Sequence, residues 1–150
     1  MPLVFVYGTL MRGGANHDVL RRLGGSFVTA ATTRSPRTLV DLGPYPALLA
    51  LGSREDAAPV TGEVWEITDA ALRELDAFEG VPDLYLRERL TVGSAGRGDA
   101  IEAFVYVLAG SPPPHARVIP TGRYGRAGTA LPDGAKPEQL VRRPNGDADS

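Results

Sequence analysis

Carboxylates are the side chains of this sequence with the widest scope for chemistry. There is no cysteine, so thiol nucleophiles, thiolate zinc sites and disulfides are excluded. The two histidines, His17 and His115, are far apart and form no His-Glu-x-x-His pattern, which argues against a catalytic zinc. The common glycine-rich nucleotide loops and the Gly-x-Ser-x-Gly nucleophile elbow are also missing. We therefore expect no metal and no other cofactor, and we look for proton transfer by a carboxylate.

Glu79 is the carboxylate in the most unusual setting. It follows Phe78 at the predicted end of a helix and precedes Gly80-Val81-Pro82. The negative end of the helix dipole and the apolar neighbours both disfavour a charged carboxylate, so the pattern predicts a raised pKa that suits proton transfer. The alternative is an exposed, solvated glutamate paired with Arg87, and position alone does not exclude it.

Residues 7–10 are a candidate binding loop with the sequence Tyr7, Gly8, Thr9, Leu10. They follow a short apolar run that reads as a buried strand. A glycine there allows the backbone to approach a ligand closely, and successive N–H groups can bind an anion such as a carboxylate. An ordinary turn at the end of a strand is the alternative.

Three tyrosines are further candidates for a pocket wall, where their hydroxyl groups could donate hydrogen bonds. They are Tyr45, Tyr85 and Tyr106. The alternative for each is an ordinary core aromatic residue whose hydroxyl is bonded within the protein.

The predicted elements that position these residues are two helices and six or seven strands. Asn16 is expected to cap a first helix that carries Val19, Leu20 and Leu23 on one face, and Thr68 to cap a second helix over residues 69–78. Strands are predicted at residues 3–7, 26–33, 37–42, 60–67, 85–92 and 101–108, with a further apolar segment at 47–51. Because strands and helices do not alternate strictly, the order favours a mixed sheet or small barrel with flanking helices, in the α+β class.

Length and charge limit the remaining possibilities. The 150 residues are expected to form one domain spanning 1–150, with a mobile end from about residue 142. A formal net charge of −2 gives no case for binding nucleic acid or an anionic membrane. No apolar run is long enough to span a bilayer and no secretory leader is recognisable, so we expect a cytoplasmic protein of undetermined oligomeric state.

Several short motifs occur in a fixed order between residues 3 and 108. They are Val6-Tyr7-Gly8-Thr9-Leu10, Gly43-x-Tyr45-Pro46-Ala47-Leu48, Gly62-Glu63-Val64-Trp65, Leu75-Asp76-x-Phe78-Glu79-Gly80, Tyr85-x-Arg87 and Ala103-x-Val105-Tyr106-Val107. This set resembles the γ-glutamylcyclotransferase family, and within it the γ-glutamylamine cyclotransferase (AIG2-like) branch. Several motifs in one order are more specific than any four-residue match.

The resemblance implies a fold, a reaction and a set of site residues. The fold would be a small closed mixed β-barrel with flanking helices. Tyr7, Gly8, Thr9 and Leu10 would bind the γ-glutamyl group of a small-molecule substrate, and Glu79 would be the catalytic acid/base. The reaction would convert a γ-glutamyl amine to 5-oxoproline and the free amine, whose identity the sequence does not give. Action on glutathione and a non-catalytic binding module on the same barrel remain as alternatives.

Two positions depart from the family pattern. Trp65 stands where the family often has tyrosine, which is a tolerable exchange of one aromatic residue for another. Thr121-Gly122-Arg123-Tyr124 stands where many members have Gly-Asp-Trp. We therefore expect this segment to alter the C-terminal side of the pocket and the specificity for the leaving amine.

Overall fold

The computed structural model describes residues 1–49 and 57–124, which contain two helices and eight strands. The helices are α1 (His17–Arg22) and α2 (Asp69–Glu79). The strands are β1 (Leu3–Val6), β2 (Ser26–Thr33), β3 (Leu39–Asp41), β4 (Pro46–Leu48), β5 (Thr61–Glu66), β6 (Tyr85–Ser94), β7 (Ala100–Leu108) and β8 (Arg117–Val118).

Five of the strands form a closed barrel. They are hydrogen-bonded in the order β1-β5-β2-β6-β7, and β7 returns to β1 through a parallel pairing of Val4 with Phe104. The other pairings within the barrel are antiparallel. The expectation of a small closed mixed barrel with flanking helices is confirmed. Outside the barrel, β4 pairs in parallel with β7 and continues the sheet through β3 to β8.

Alternate residues along β1 and the residue that follows it belong to two different cores, because successive side chains of a strand point to opposite faces. Phe5 and Tyr7 belong to the cluster that fills the barrel, together with Val64 and Val105. Val4 and Val6 belong instead to the cluster in which the barrel packs against the helices. The end of β1 therefore lies between the barrel and α2.

The caps of the two helices differ from each other. Thr68 caps α2 as predicted, because its hydroxyl accepts a hydrogen bond from the N–H of Ala71 at 3.0 Å. Gly80 ends α2 in a left-handed conformation at φ 73°. Asn16 is the N-cap residue of α1 as predicted, but its side chain makes no capping hydrogen bond, because its Nδ2 donates to the hydroxyl of Thr9 at 3.0 Å.

Some predicted bounds change in the structure. The strand expected over 37–42 is β3, Leu39–Asp41, and the apolar segment at 47–51 contributes β4, Pro46–Leu48. The sequence does not predict the two-residue strand β8, because Arg117 and Val118 lie in a segment rich in proline and glycine. In the described residues no helix has the length and apolarity needed to cross a membrane. The C-terminal end from about residue 142, expected to be mobile, lies outside the described residues.

Candidate active site

A pocket lies between the end of β1 and the end of α2. Its volume is about 310 Å³, including its open mouth. The nine residues that line it are Phe5, Val6, Tyr7, Gly8, Thr9, Leu10, Pro46, Glu79 and Tyr106. The structure thus brings residues 7–10 and Glu79 to one pocket, although about 70 residues separate them in the sequence.

Glu79 occupies this pocket because of its place on α2. It is the last residue of the helix and continues the buried stripe formed by Leu72 and Leu75, since residues three and four apart share one helix face. Only 1% of Glu79 is exposed. The alternative of a solvated glutamate is therefore wrong.

Arg87 pairs with Asp76, which lies one helical turn before Glu79 on α2. Its Nη1 donates to Asp76 Oδ2 at 2.9 Å. Asp76 Oδ1 accepts a 2.7 Å hydrogen bond from the hydroxyl of Tyr106, a residue of the pocket wall. A network of one arginine, one carboxylate and one phenol therefore reaches the wall of the pocket that Glu79 lines.

Tyr7 contributes to the pocket, but its hydroxyl bonds to two main-chain groups of the protein. It donates to the main-chain carbonyl of Tyr106 at 2.7 Å and accepts from the N–H of Leu48 at 3.0 Å. Burial raises the pKa of Tyr7, as does the charge of Glu79 to a smaller extent, whereas the Leu48 hydrogen bond lowers it. The Tyr7 hydroxyl thus ties β1 to β7 and β4.

Thr9 is held on both its main chain and its side chain. Asn16 donates its N–H to the Thr9 carbonyl at 2.9 Å and its Nδ2 to the Thr9 hydroxyl at 3.0 Å. Gly14 packs against the same carbonyl so closely that a Cβ at this position would lie 2.3 Å from the oxygen. His17 contacts the neighbouring carbonyl of Leu10 through Nδ1 at 3.0 Å. These contacts fix the backbone of the loop before any ligand binds.

The fixed loop presents main-chain donors. Within residues 1–49 and 57–124, no carbonyl or side chain accepts a hydrogen bond from the N–H of Thr9 or Leu10. Gly8 lies against the ring of Pro46, and a Cβ at Gly8 would approach Pro46 Cγ to 2.7 Å. Glycine is therefore required by close packing, and the adjacent N–H groups are available to a ligand.

Glu63 is a buried carboxylate outside the pocket that anchors the far side of the same loop. Its Oε1 accepts hydrogen bonds from the main-chain N–H of Arg12 at 3.1 Å and from Trp65 Nε1 at 3.0 Å. Its Oε2 accepts from Arg12 Nε at 3.1 Å. The sequence shows Glu63 and Trp65 within one motif, but it gives no signal that they hold the loop. The indole N–H of Trp65 donates one of these hydrogen bonds to Glu63. Another aromatic residue at position 65 would have to supply a donor in the same place.

The divergent segment at residues 121–124 is not part of the described pocket wall. Gly122 packs against Pro59 and accepts a hydrogen bond from the N–H of Thr61 at 2.9 Å, while Tyr124 is buried beside the barrel core. Of the three candidate tyrosines, Tyr106 lines the pocket, and the other two are buried in the core between barrel and helices. Among the described residues, no group of three or more histidines and carboxylates is arranged to hold a metal ion.

A five-stranded mixed barrel thus carries a small-molecule pocket that a buried carboxyl group and the loop of residues 7–10 line together. Residues 4–126 match the family model described as gamma-glutamyl cyclotransferase, AIG2-like. The chain belongs to this family.

The relatives in sequence support the same assignment. A gamma-glutamylaminecyclotransferase from Bos taurus is 44% identical over 117 residues, which cover 73% of this chain and 67% of the relative. The protein of the same name from Homo sapiens is 38% identical over 136 residues, covering 79% of this chain and 86% of the relative.

A solved structure shares the fold over most of its length. The crystal structure of an AIG2-like protein from Mus musculus superimposes with a TM-score of 0.73 at 31% sequence identity. The superposition covers 91% of this chain and 99% of the mouse chain. This chain and the mouse protein therefore share one fold.

Proposed function

We propose that this protein is a γ-glutamylamine cyclotransferase, which converts a γ-glutamyl amine to 5-oxoproline and the free amine. The observation that carries the proposal is the placement of buried Glu79 in one pocket with residues 7–10. The relatives named gamma-glutamylaminecyclotransferase support the same activity. A non-catalytic binding module has no observation in its favour, because the expected carboxylate is present and buried.

The substrate's α-carboxylate is assigned to the 7–10 loop. The N–H groups of Thr9 and Leu10 face no acceptor among the described residues, and consecutive backbone N–H groups form a suitable anion site. Gly8 packs against Pro46. Tyr7 is held by its hydrogen bonds to β7 and β4. The loop therefore orients the glutamyl group relative to Glu79.

Glu79 is assigned the proton transfers. Its carboxylate takes one proton from the α-ammonium, and the amine so formed attacks the γ-carbonyl carbon of the same molecule. Protonated Glu79 then gives that proton to the leaving nitrogen as its bond to the carbonyl carbon breaks. The ring nitrogen releases a second proton, which leaves with the free amine as an ammonium ion. Because the attack is intramolecular, the enzyme needs only to hold the folded-back conformer and move protons.

The proposal is tested by incubating the protein with a panel of γ-glutamyl amines and measuring 5-oxoproline. The panel should include γ-glutamyl derivatives of amino acids, of the lysine side chain and of simple alkylamines, with glutathione as the competing substrate class. We expect stoichiometric release of 5-oxoproline and amine from at least one γ-glutamyl amine. Binding of these compounds without any turnover would support the non-catalytic module instead.

A further inference from the structure

Tyr106 joins three parts of the site. Its main-chain carbonyl accepts the hydroxyl proton of Tyr7, it lines the pocket with Glu79, and its own hydroxyl donates to Asp76 at 2.7 Å. Only 4% of Tyr106 is exposed. The position of the phenol is therefore set by the barrel on one side and by α2 on the other.

The Tyr106 hydroxyl can donate one hydrogen bond, and Asp76 already accepts that bond. A phenol has one donor and two acceptor lone pairs, so what remains on its oxygen is acceptor capacity alone. Within the described part of the chain no group donates to this oxygen. Arg87 holds the other oxygen of Asp76 at 2.9 Å, which fixes the carboxylate in the orientation that receives the Tyr106 proton.

Glu79 is close to the same phenol. The pKa of Tyr106 is raised, mainly by burial, next by the hydrogen bond and charge of Asp76, and then by the charge of Glu79, with Arg87 opposing the rise. Tyr106 therefore stays neutral at physiological pH and cannot supply a negative charge. Neutral Tyr106 and the carboxyl-bearing Glu79 thus line the same pocket.

We propose that the hydroxyl oxygen of Tyr106 accepts a hydrogen bond from the substrate's α-ammonium group, and that Asp76 is the positioning residue that turns the hydroxyl to make this possible. The inference rests on the proposed function, because it assigns a second partner to the ammonium in the same site. One ammonium proton goes to Glu79 and another is held by Tyr106. After Glu79 removes its proton, the hydrogen bond to Tyr106 keeps the amine in place while its lone pair attacks the γ-carbonyl.

The proposal excludes a different role for Tyr106. A tyrosine beside a cleaved amide could donate to the developing oxyanion. Here that would require the hydroxyl proton to leave Asp76, whose carboxylate would then lose a charge-assisted hydrogen bond in a half-buried setting. The sequence suggests Tyr106 as a possible donor to the substrate, and the structure makes it an acceptor.

Two probes separate the ammonium contact from the rest of binding. In L-methionine sulfone a sulfone replaces the amide carbonyl, so the compound keeps the α-carboxylate and α-ammonium but cannot be cyclised. 4-(Methylsulfonyl)butanoate lacks only the α-ammonium. Calorimetry with wild type and Tyr106→Phe should show that the variant binds the amino sulfone roughly 10- to 100-fold more weakly, as for loss of a hydrogen bond to a charged group. Affinity for the desamino sulfone should change less than about twofold.

Asp76→Asn tests the orienting role. Arg87 has only donors, so it holds the amide oxygen of the new side chain and leaves the amide NH₂ facing Tyr106. The Tyr106 oxygen must then accept from this NH₂ group and turn its own proton into the pocket, towards the ammonium. In this variant the ratio of the affinity for the amino sulfone to that for the desamino sulfone should fall at least as far as it does in Tyr106→Phe. Tyr85→Phe is the matched control, because it removes a buried hydroxyl bonded to Pro46 but not one that lines the pocket.

The outcomes distinguish this inference from the proposed function. If wild type forms no 5-oxoproline from any γ-glutamyl amine, the proposed function fails and this inference fails with it. If wild type is active but Tyr106→Phe weakens both sulfones equally, Tyr106 has only a structural role and this inference alone is overturned. If neither sulfone binds measurably, KM decides: Tyr106→Phe must raise KM for the turnover substrate, and an unchanged KM overturns the inference.

Discussion

The hydroxyl of Tyr7 donates a 2.7 Å hydrogen bond to the main-chain carbonyl of Tyr106, which lies 99 residues further along the chain. The same oxygen accepts from the N–H of Leu48. One buried atom thus joins β1, β4 and β7 at the edge of the pocket. The tyrosine at the start of the binding loop is therefore a structural tie, and its effect on the substrate passes through the position of the backbone.

Tyr7→Phe should destabilise the fold more than it impairs chemistry. Phenylalanine fills the same space but leaves the Leu48 N–H and the Tyr106 carbonyl without this partner, which costs about 1–3 kcal/mol for buried groups. Urea denaturation measures the loss, and kcat is measured on the folded fraction. Tyr124→Phe is the matched control, since its hydroxyl lies 3.5 Å from the Pro44 carbonyl and should contribute less. Equal losses in the two variants would contradict the assigned role of Tyr7.

Alkaline pH should weaken the fold through the buried phenols. Burial raises the pKa of both Tyr7 and Tyr106 above the usual value of 10.0. The unfolded chain releases these protons first, so the stabilisation is complete below about pH 10 and is lost as the pH rises further. Each such tyrosine should add a slope of roughly 1.4 kcal/mol per pH unit to the fall in the free energy of unfolding.

Urea denaturation of wild type and Tyr106→Phe across this range provides the check. The variant has one fewer buried phenol and should show the shallower decline in stability above about pH 10. Parallel curves for the two proteins would mean that Tyr106 does not retain its proton in the folded state. The comparison does not depend on activity, so it remains informative for any substrate.

The sequence identifies the elements of the site better than the contacts between them. β5 and the helix ending at Glu79 follow from alternation, periodicity and caps, which are local signals. The tie between Tyr7 and Tyr106, and the anchor between Glu63 and Arg12, join residues 99 and 51 positions apart. Such contacts depend on how the barrel closes, and the spacing of residues within one segment does not indicate how it closes.

Asn16 shows how a local rule fails for a physical reason. Asparagine before a helix ordinarily bonds to the N–H groups of the first turn. Here its amide instead holds the Thr9 hydroxyl and its N–H holds the Thr9 carbonyl. A residue that could stabilise α1 is used to fix the loop, and such departures from local rules are expected at functional sites.

Glu63→Gln should impair substrate binding more than the chemical step. The carboxylate accepts three hydrogen bonds that hold Arg12 and Trp65, and glutamine has only one acceptor oxygen for them. The loop should loosen, and kcat/KM should fall by up to about 100-fold through KM, as for a misplacement of about 1 Å. Steady-state kinetics on the best γ-glutamyl amine measures this. Glu66→Gln on the same strand is the control and should behave like wild type.

Gly14→Ala tests the same loop from its other side. The new Cβ would lie 2.3 Å from the Thr9 carbonyl oxygen, a contact that forces the loop backbone to move. We expect a raised KM together with a loss of stability of about 1–3 kcal/mol, typical of overpacking. Thermal denaturation and steady-state kinetics would measure both. A variant with wild-type KM would show that the position of Thr9 does not govern binding.

Glu79→Gln should separate binding from turnover. Glutamine keeps nearly the same shape but can neither take the ammonium proton nor return one to the leaving nitrogen. The rate should fall by at least the roughly 10²–10⁴-fold typical of general acid/base catalysis. The 7–10 loop, and not Glu79, is assigned to the α-carboxylate, so the variant should still bind 4-(methylsulfonyl)butanoate; removal of the negative charge should favour this anion. Release of 5-oxoproline and calorimetry measure the two properties.

Glu74→Gln, an exposed position on the same helix, carries the same chemical change and should leave turnover intact. Near wild-type turnover by folded Glu79→Gln would remove Glu79 from the mechanism, and proton transfer would then have to be assigned to another group at the pocket.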